Sequence, residues 1–274
     1  MISSFILCYL ASWLPIVHNE LYPKTDNLNL FVKFDNFSHL TNVISGTEPN
    51  AVKDAIIAEN INGPFGEPLS SYTVESNWWM CEYSPLPPFQ SFTFAFFFYS
   101  PANESNGAIF QATWRDGLSV SYNKMDLEIR AIDQSSWPPR TKAKASIPDF
   151  FEPYSWNFVG LSYKHEQKLL KVYNRIGSVV GYFQPFPFSN ETTEDLDIGL
   201  VSFDGDTYYM RPDDAIACLF FYNTSLTGSE IAKLPYACQG VEWQEDKPNN
   251  RATTDSDFPL SHVITLLFLS VFFG

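Results

Sequence analysis

Four aspartates crowd the stretch "SFDGDTYYMRPDD": Asp204, Asp206, Asp213 and Asp214, with Gly205 between the first two. Carboxylates at that density offer oxygen ligands to calcium, which takes six to eight of them. The spacing is not that of an EF-hand, and Arg211 offsets part of the charge. A calcium site and a solvated acidic loop both stay open. The same stretch holds Tyr208 and Tyr209, and "QSSWPPR" holds Trp137 and Arg140 beside two prolines that stiffen the chain. An aromatic ring that stacks on a sugar, with polar groups beside it, is a recognition chemistry carried by loops. Trp137, Arg140, Tyr208 and Tyr209 are therefore the candidate ligand-binding residues. Trp78 and Trp79 in "SNWWMCEY" read first as core.

The elements that must position such loops read as strands. "SFTFAFFFYS" (91–100) puts Phe92, Phe94, Phe96 and Phe98 on one face and Thr93, Ala95, Phe97 and Tyr99 on the other. It is apolar on nearly both sides, which predicts a strand between packed layers. "LNLFVKFD", "GAIFQATW", "LSVSYN", "LEIRAI", "GSVVGYF", "LDIGLVSF" and "AIACLFFYN" add further short strands separated by turn residues. "WNFVGLSYKHEQKLLKVYN" reads as a hairpin with a polar turn at 164–168. One helix is expected in "SLTGSEIAKLPYAC": Thr227 and Glu230 form a capping box, Ile231 and Leu234 give an apolar face, and Pro235 stops it. Strands at this interval predict an all-β sandwich of two antiparallel sheets with one short C-terminal helix.

The chain has 274 residues, 45% of them hydrophobic, with 25 Phe and 14 Tyr, enough for a substantial core. Its net charge of −14 argues against nucleic acid and against anionic lipid headgroups as partners. The four histidines are scattered, and no zinc-type spacing occurs.

Both ends are apolar. Residues 5–17 have the length of a signal-peptide core, although no Lys or Arg precedes them. Residues 1–18 are read as a signal peptide, with a buried N-terminal strand as the alternative. The terminal run 258–274 is short for a membrane span and has no basic flank. A glycosylphosphatidylinositol (GPI) signal, with Asn250 as attachment residue and Ala252 two places on, explains both features. A short membrane tail and a packed strand are the alternatives. Asn36, Asn103, Asn190 and Asn223 each begin an Asn-x-Ser/Thr sequon. Cys8 leaves with the signal peptide. Cys218 and Cys238 flank the last strand and helix and are paired here. Cys81 is left free, bonded to another chain, or a competitor for one of those two. The expected organisation is a domain at 27–240, a polar stalk at 241–257 and the tail. The protein would sit on the outer face of the plasma membrane and meet an extracellular protein or glycan.

Three segments carry a family resemblance: "SFTFAFFFYSP…NGAIFQ", "WNFVGLSYKHEQKLLKVYNRIGSVVGYF" and "DAIACLFFYNTSLTGSEIAKL". With the opening stretch after Leu30, their order resembles the concanavalin A-like lectin/glucanase superfamily, in its laminin-G-like and pentraxin-like branch. The resemblance implies a jelly-roll sandwich, and calcium in the loop before the closing strand. It does not imply a single function. Glucanases of that superfamily carry their carboxylates on one strand as E-x-D-x-x-E or E-x-D-x-E. "MDLEIRAID" offers Asp126, Glu128 and Asp133, and "ETTEDLDIG" offers Glu191, Glu194, Asp195 and Asp197, neither in that spacing. The expectation is a non-catalytic recognition protein, with a glycoside hydrolase or a structural coat protein as the alternatives.

Overall fold

The computed structural model describes residues 26–34, 44–46, 52–53, 55–59, 61–74, 80–83, 89–100, 106–113, 116–133, 135, 140–188, 196–199 and 214–239. The chain divides into two units, Met1–Trp243 and Gln244–Gly274, and every described residue belongs to the first. The expected signal peptide, stalk and tail lie outside the described residues, as do Trp78, Trp79, Trp137, Asp204, Asp206, Tyr208, Tyr209, Asp213, Asn36, Asn103, Asn190 and Asn250.

The strands are β1 (Leu28–Val32), β2 (Val52–Lys53), β3 (Ala55–Ile57), β4 (Tyr72–Val74), β5 (Met80–Tyr83), β6 (Phe92–Ser100), β7 (Asn106–Thr113) and β8 (Asp116–Asn123). They continue as β9 (Asp126–Asp133), β10 (Arg140–Ile147), β11 (Ser155–Lys164), β12 (Leu169–Tyr173), β13 (Val179–Phe183), β14 (Leu196–Gly199) and β15 (Ala215–Tyr222). Two short helical turns follow, α1 (Gly228–Ile231) and α2 (Leu234–Cys238). One sheet has eight strands in the order β13-β12-β11-β6-β15-β4-β3, with β1 also paired to β15. The other has seven, in the order β10-β9-β8-β7-β14-β5-β2. The fold is the expected all-β sandwich of two antiparallel sheets.

The two-sided strand 91–100 explains the layering. Phe92, Phe94, Phe96 and Phe98 of β6 enter the core between the sheets, beside Phe110, Val120, Ile129, Leu161 and Phe221. Ala95 and Phe97 enter a second apolar cluster on the outer face of the eight-stranded sheet, with Phe31, Phe220, Ile231 and Leu234. That second cluster is what the helical segment covers. Gly160 of β11 allows the close approach, since a Cβ there would meet the Ile231 side chain at 2.9 Å.

Two local expectations change. Thr227 and Glu230 form the capping box as read, but the first turn ends at Ile231. Pro235 sits in the first turn of α2, where a missing N–H costs nothing, and so begins a turn instead of ending one. The segment "RTKAKASI", read as no strand, forms β10 at the edge of the seven-stranded sheet. Lysines suit such an edge because they discourage pairing with other chains.

Candidate functional site

An open groove of about 690 Å³ lies on the outer face of the eight-stranded sheet. Ligand pockets commonly span roughly 300–1,000 Å³. Strand alternation builds its floor. Leu161 and Tyr163 of β11 and Leu170 and Val172 of β12 turn into the core. Their neighbours Ser162, Lys164, Leu169, Lys171 and Tyr173 therefore face outward and line the groove. In the β11–β12 register Ser162 stands opposite Lys171, and Lys164 opposite Leu169.

The wall is the segment from Thr224 to Gly228. Two buried hydroxyls hold it down. Thr93 Oγ1 donates to the Thr224 carbonyl at 2.9 Å and accepts from the Leu226 N–H at 2.9 Å. Ser162 Oγ donates to the Leu226 carbonyl at 3.0 Å and lies 2.9 Å from Ser225 Oγ. Past the wall, the Thr227 N–H and hydroxyl both donate to Glu230 at 2.8 Å, fixing the start of α1. On the other side, Val179 of β13 completes the lining. Tyr182, exposed, stands opposite Lys171 in the β12–β13 register. Its hydroxyl donates to Gln184 Oε1 at 3.2 Å, and Gln184 Nε2 donates to the Gln167 carbonyl at 2.7 Å, which ties it to the lining residue Gln167.

Two glycines close the end of the groove. A Cβ on Gly177 (φ +73°) would fall inside contact distance of the Gly228 carbonyl oxygen, and one on Gly228 would meet the Gly177 oxygen. Only hydrogen at both positions lets the β12–β13 turn touch the start of α1. Gly177→Ala is expected to cost roughly 1–3 kcal/mol, from positive φ and backbone overlap together. It should also push the wall outward. Chemical denaturation and ligand titration of the variant check the two effects separately.

The groove is polar and locally cationic. Lys164 and Lys171 line it with one acid, Glu166. Among the described residues neither lysine has an ion-pair partner, since the pairs join Glu128 to Arg130 and Lys144 and Asp133 to Lys142. No described cluster of three or more His, Cys, Asp or Glu could hold a metal ion.

The sequence candidates within the described residues lie elsewhere. Arg140 is exposed at the start of β10, opposite Asp133, on the other sheet. Asp214 is fully buried just before β15 and accepts a 2.6 Å hydrogen bond from the Tyr122 hydroxyl. Asn223 follows β15. Its N–H donates to the Asn27 carbonyl and to Asn29 Oδ1, each at 3.1 Å. Cys218 and Cys238 form the expected disulfide, with Cα atoms 5.9 Å apart. The register of β15 shifts between Ala217 and Phe220, and this bulge places both Ala217 and Cys218 in the cluster under the helical turns.

Glu128 is the carboxylate best placed to resemble a catalytic group, on the outer face of the seven-stranded sheet. Lys144 Nζ reaches its Oε1 at 2.8 Å and Arg130 Nη2 its Oε2 at 3.0 Å. Burial alone would raise its pKa, but hydrogen bonds from Lys144 and Arg130 outweigh burial and hold it below the ordinary 4.5. A glycosidase acid needs the opposite shift. Because the folded pKa lies below the unfolded one, Glu128 contributes stability above about pH 4.5, lost as pH falls through the folded value. Glu128→Gln is expected to cost about 1–2 kcal/mol near neutral pH and to flatten the acid limb of the stability profile. Urea unfolding between pH 3 and pH 7 measures both, on wild type and variant.

Neither a protein-family model nor a curated protein matches the chain in sequence. Solved structures do resemble its fold. The binding domain of Paraclostridial Mosquitocidal Protein 1 matches with a TM-score of 0.56 at 13% identity, over 76% of this chain and 52% of that one. The receptor binding domain of botulinum neurotoxin type G matches with 0.53 at 14%, over 78% and 51%. The serotype D ligand binding domain, solved in complex with N-acetylneuraminic acid, matches with 0.53 at 11%, over 78% and 51%. The chain spans about half the length of these structures, and at such identities the likeness is one of fold.

Proposed function

We propose that this chain is a non-catalytic recognition domain that binds a glycan through the outer-face groove of the eight-stranded sheet. The observation that carries the reading is the lining itself. Thr224, Ser225 and Thr227 supply hydroxyls, Gln167 an amide and Lys164 and Lys171 cations, while Tyr182 stands exposed opposite Lys171. A ring and a hydroxyl-rich wall are the arrangement that saccharides need, one face apolar and the edges hydrogen-bonded. The solved structures of similar fold are binding domains, one with a sialic acid bound, which supports a ligand-binding role. Glu128, held ionised by two cations, supports a non-catalytic reading over a hydrolase.

The setting we propose is extracellular: a GPI-anchored surface glycoprotein of the laminin-G-like kind. The apolar ends, the sequons and a disulfide suited to an oxidising compartment support this. The full chain on a glycan array, with calcium and then with chelator, tests the function. The expected result is binding to a defined sugar that weakens in Tyr182→Ala. An array blank in both conditions removes the glycan reading, and binding lost to chelator brings calcium back.

A protein ligand is the second reading, favoured by one feature. Ile176, Val180 and Tyr182 stand exposed along β13 and its turn, β13 ends its sheet, and Val179–Phe183 carries no charge. An apolar terminal strand of this kind accepts an added strand from a partner.

A further inference from the structure

We infer that the groove selects saccharides carrying an anionic group, a carboxylate or a sulfate. This rests on the glycan reading above and deepens it. The geometry is a short line of three side chains on one face of β11 and β12. Lys171 stands opposite Ser162, with Cβ atoms about 5 Å apart for facing positions in an antiparallel pair. Lys164 lies two residues along the strand from Ser162, about 7 Å away on the same face. The two lysines thus stand on either side of Ser162, whose own hydroxyl is taken up by the wall, and Tyr182 stands opposite Lys171 on the next strand.

Charge makes the line selective. The chain has 17 Lys and Arg against 31 Asp and Glu, so an anion meets net repulsion from the molecule at large. Within the groove the balance reverses, with two cations to one acid, and neither cation is neutralised by a described partner. Leu169, opposite Lys164, and Tyr173, two residues beyond Lys171, also line the groove and offer apolar surface to lysine stems. Lysines that lay their stems on such surface keep their ammonium heads in water, where they attract anions. Glu166, at the turn beyond Lys164, adds an acceptor for a sugar hydroxyl and disfavours a polyanion that would run past it.

The test titrates the purified full chain with sialyl-lactose, a sulfated lactose and plain lactose, at low and at high salt. At low salt an anionic form should bind about tenfold tighter than lactose, and the margin should shrink as salt screens the charges. Preference for one anionic form assigns the group. Lys164→Ala with Lys171→Ala should abolish the margin while keeping the wild-type melting temperature, and Lys124→Ala, in the turn between β8 and β9, should leave it intact. Equal binding of lactose and both anionic forms overturns the inference while the glycan reading stands. An undiminished preference in the double lysine variant also overturns it, by placing the anion elsewhere. If no saccharide binds, the glycan reading falls and the inference falls with it.

Discussion

Replacing Phe94 with alanine should destabilise the protein by about 3–5 kcal/mol, the range for deleting a buried aromatic side chain. Phe94 is fully buried at the centre of the inter-sheet core. Its ring centroid lies 4.9 Å from Phe221 on β15, 5.5 Å from Phe110 on β7 and 5.7 Å from Phe92 along its own strand. One ring therefore joins both sheets. Removing it forfeits the transfer energy of the ring and leaves a cavity that β6, paired on both sides by β11 and β15, cannot collapse to fill. Denaturant unfolding of the variant gives the cost. A cost under 1 kcal/mol would mean the inter-sheet face of β6 is not packed as described. Phe65→Ala, at a partly buried ring on the margin of the outer cluster, should cost clearly less.

Loss of the disulfide is the second large effect. Cys218 and Cys238 are 20 residues apart in sequence, and closing such a loop is worth about 3 kcal/mol in the chain-entropy model. The bridge anchors α2 to the bulge in β15, and the enclosed loop contains the whole groove wall from Thr224 to Gly228. Cys238→Ala should therefore lower the melting temperature and weaken saccharide binding together. Reducing agent should lower the wild-type melting temperature but not that of the variant, which has no such bridge to lose. An unchanged wild-type melting temperature under reduction would contradict the pairing.

The layered sandwich was legible because its strongest signal is physical. A strand whose Phe residues alternate with apolar neighbours has no solvent face, so β6 had to lie between two apolar layers. The capping box at Thr227 and Glu230 was legible for the same reason, since it depends on residues three apart. β10 was not, because Lys and Ala alternate there without the β-branched or aromatic residues that mark a strand; its place at a sheet edge makes them suitable. The groove was harder still. Ser162 and Lys171 meet only through hairpin register, and Thr93 reaches Thr224 across 131 residues of sequence. One signal was available: the hairpin turn at 164–168 fixes which residues of the two arms face each other. Gly177 and Gly228 carried no local mark, because their constraint is mutual contact between distant turns. Asp214 misled in the other direction. Its place in an acidic run reads as a calcium ligand or as part of a solvated loop; its side chain is buried against Tyr122, which removes the solvated reading for this residue.

The most direct test of the central claim is hydrogen–deuterium exchange on the full chain with and without saturating sialyl-lactose. The account predicts added protection in residues 162–171 and 224–228, and none across β8 to β10. Protection centred on β8 to β10, around Glu128 and Arg130, would contradict it and move the binding face to the other sheet.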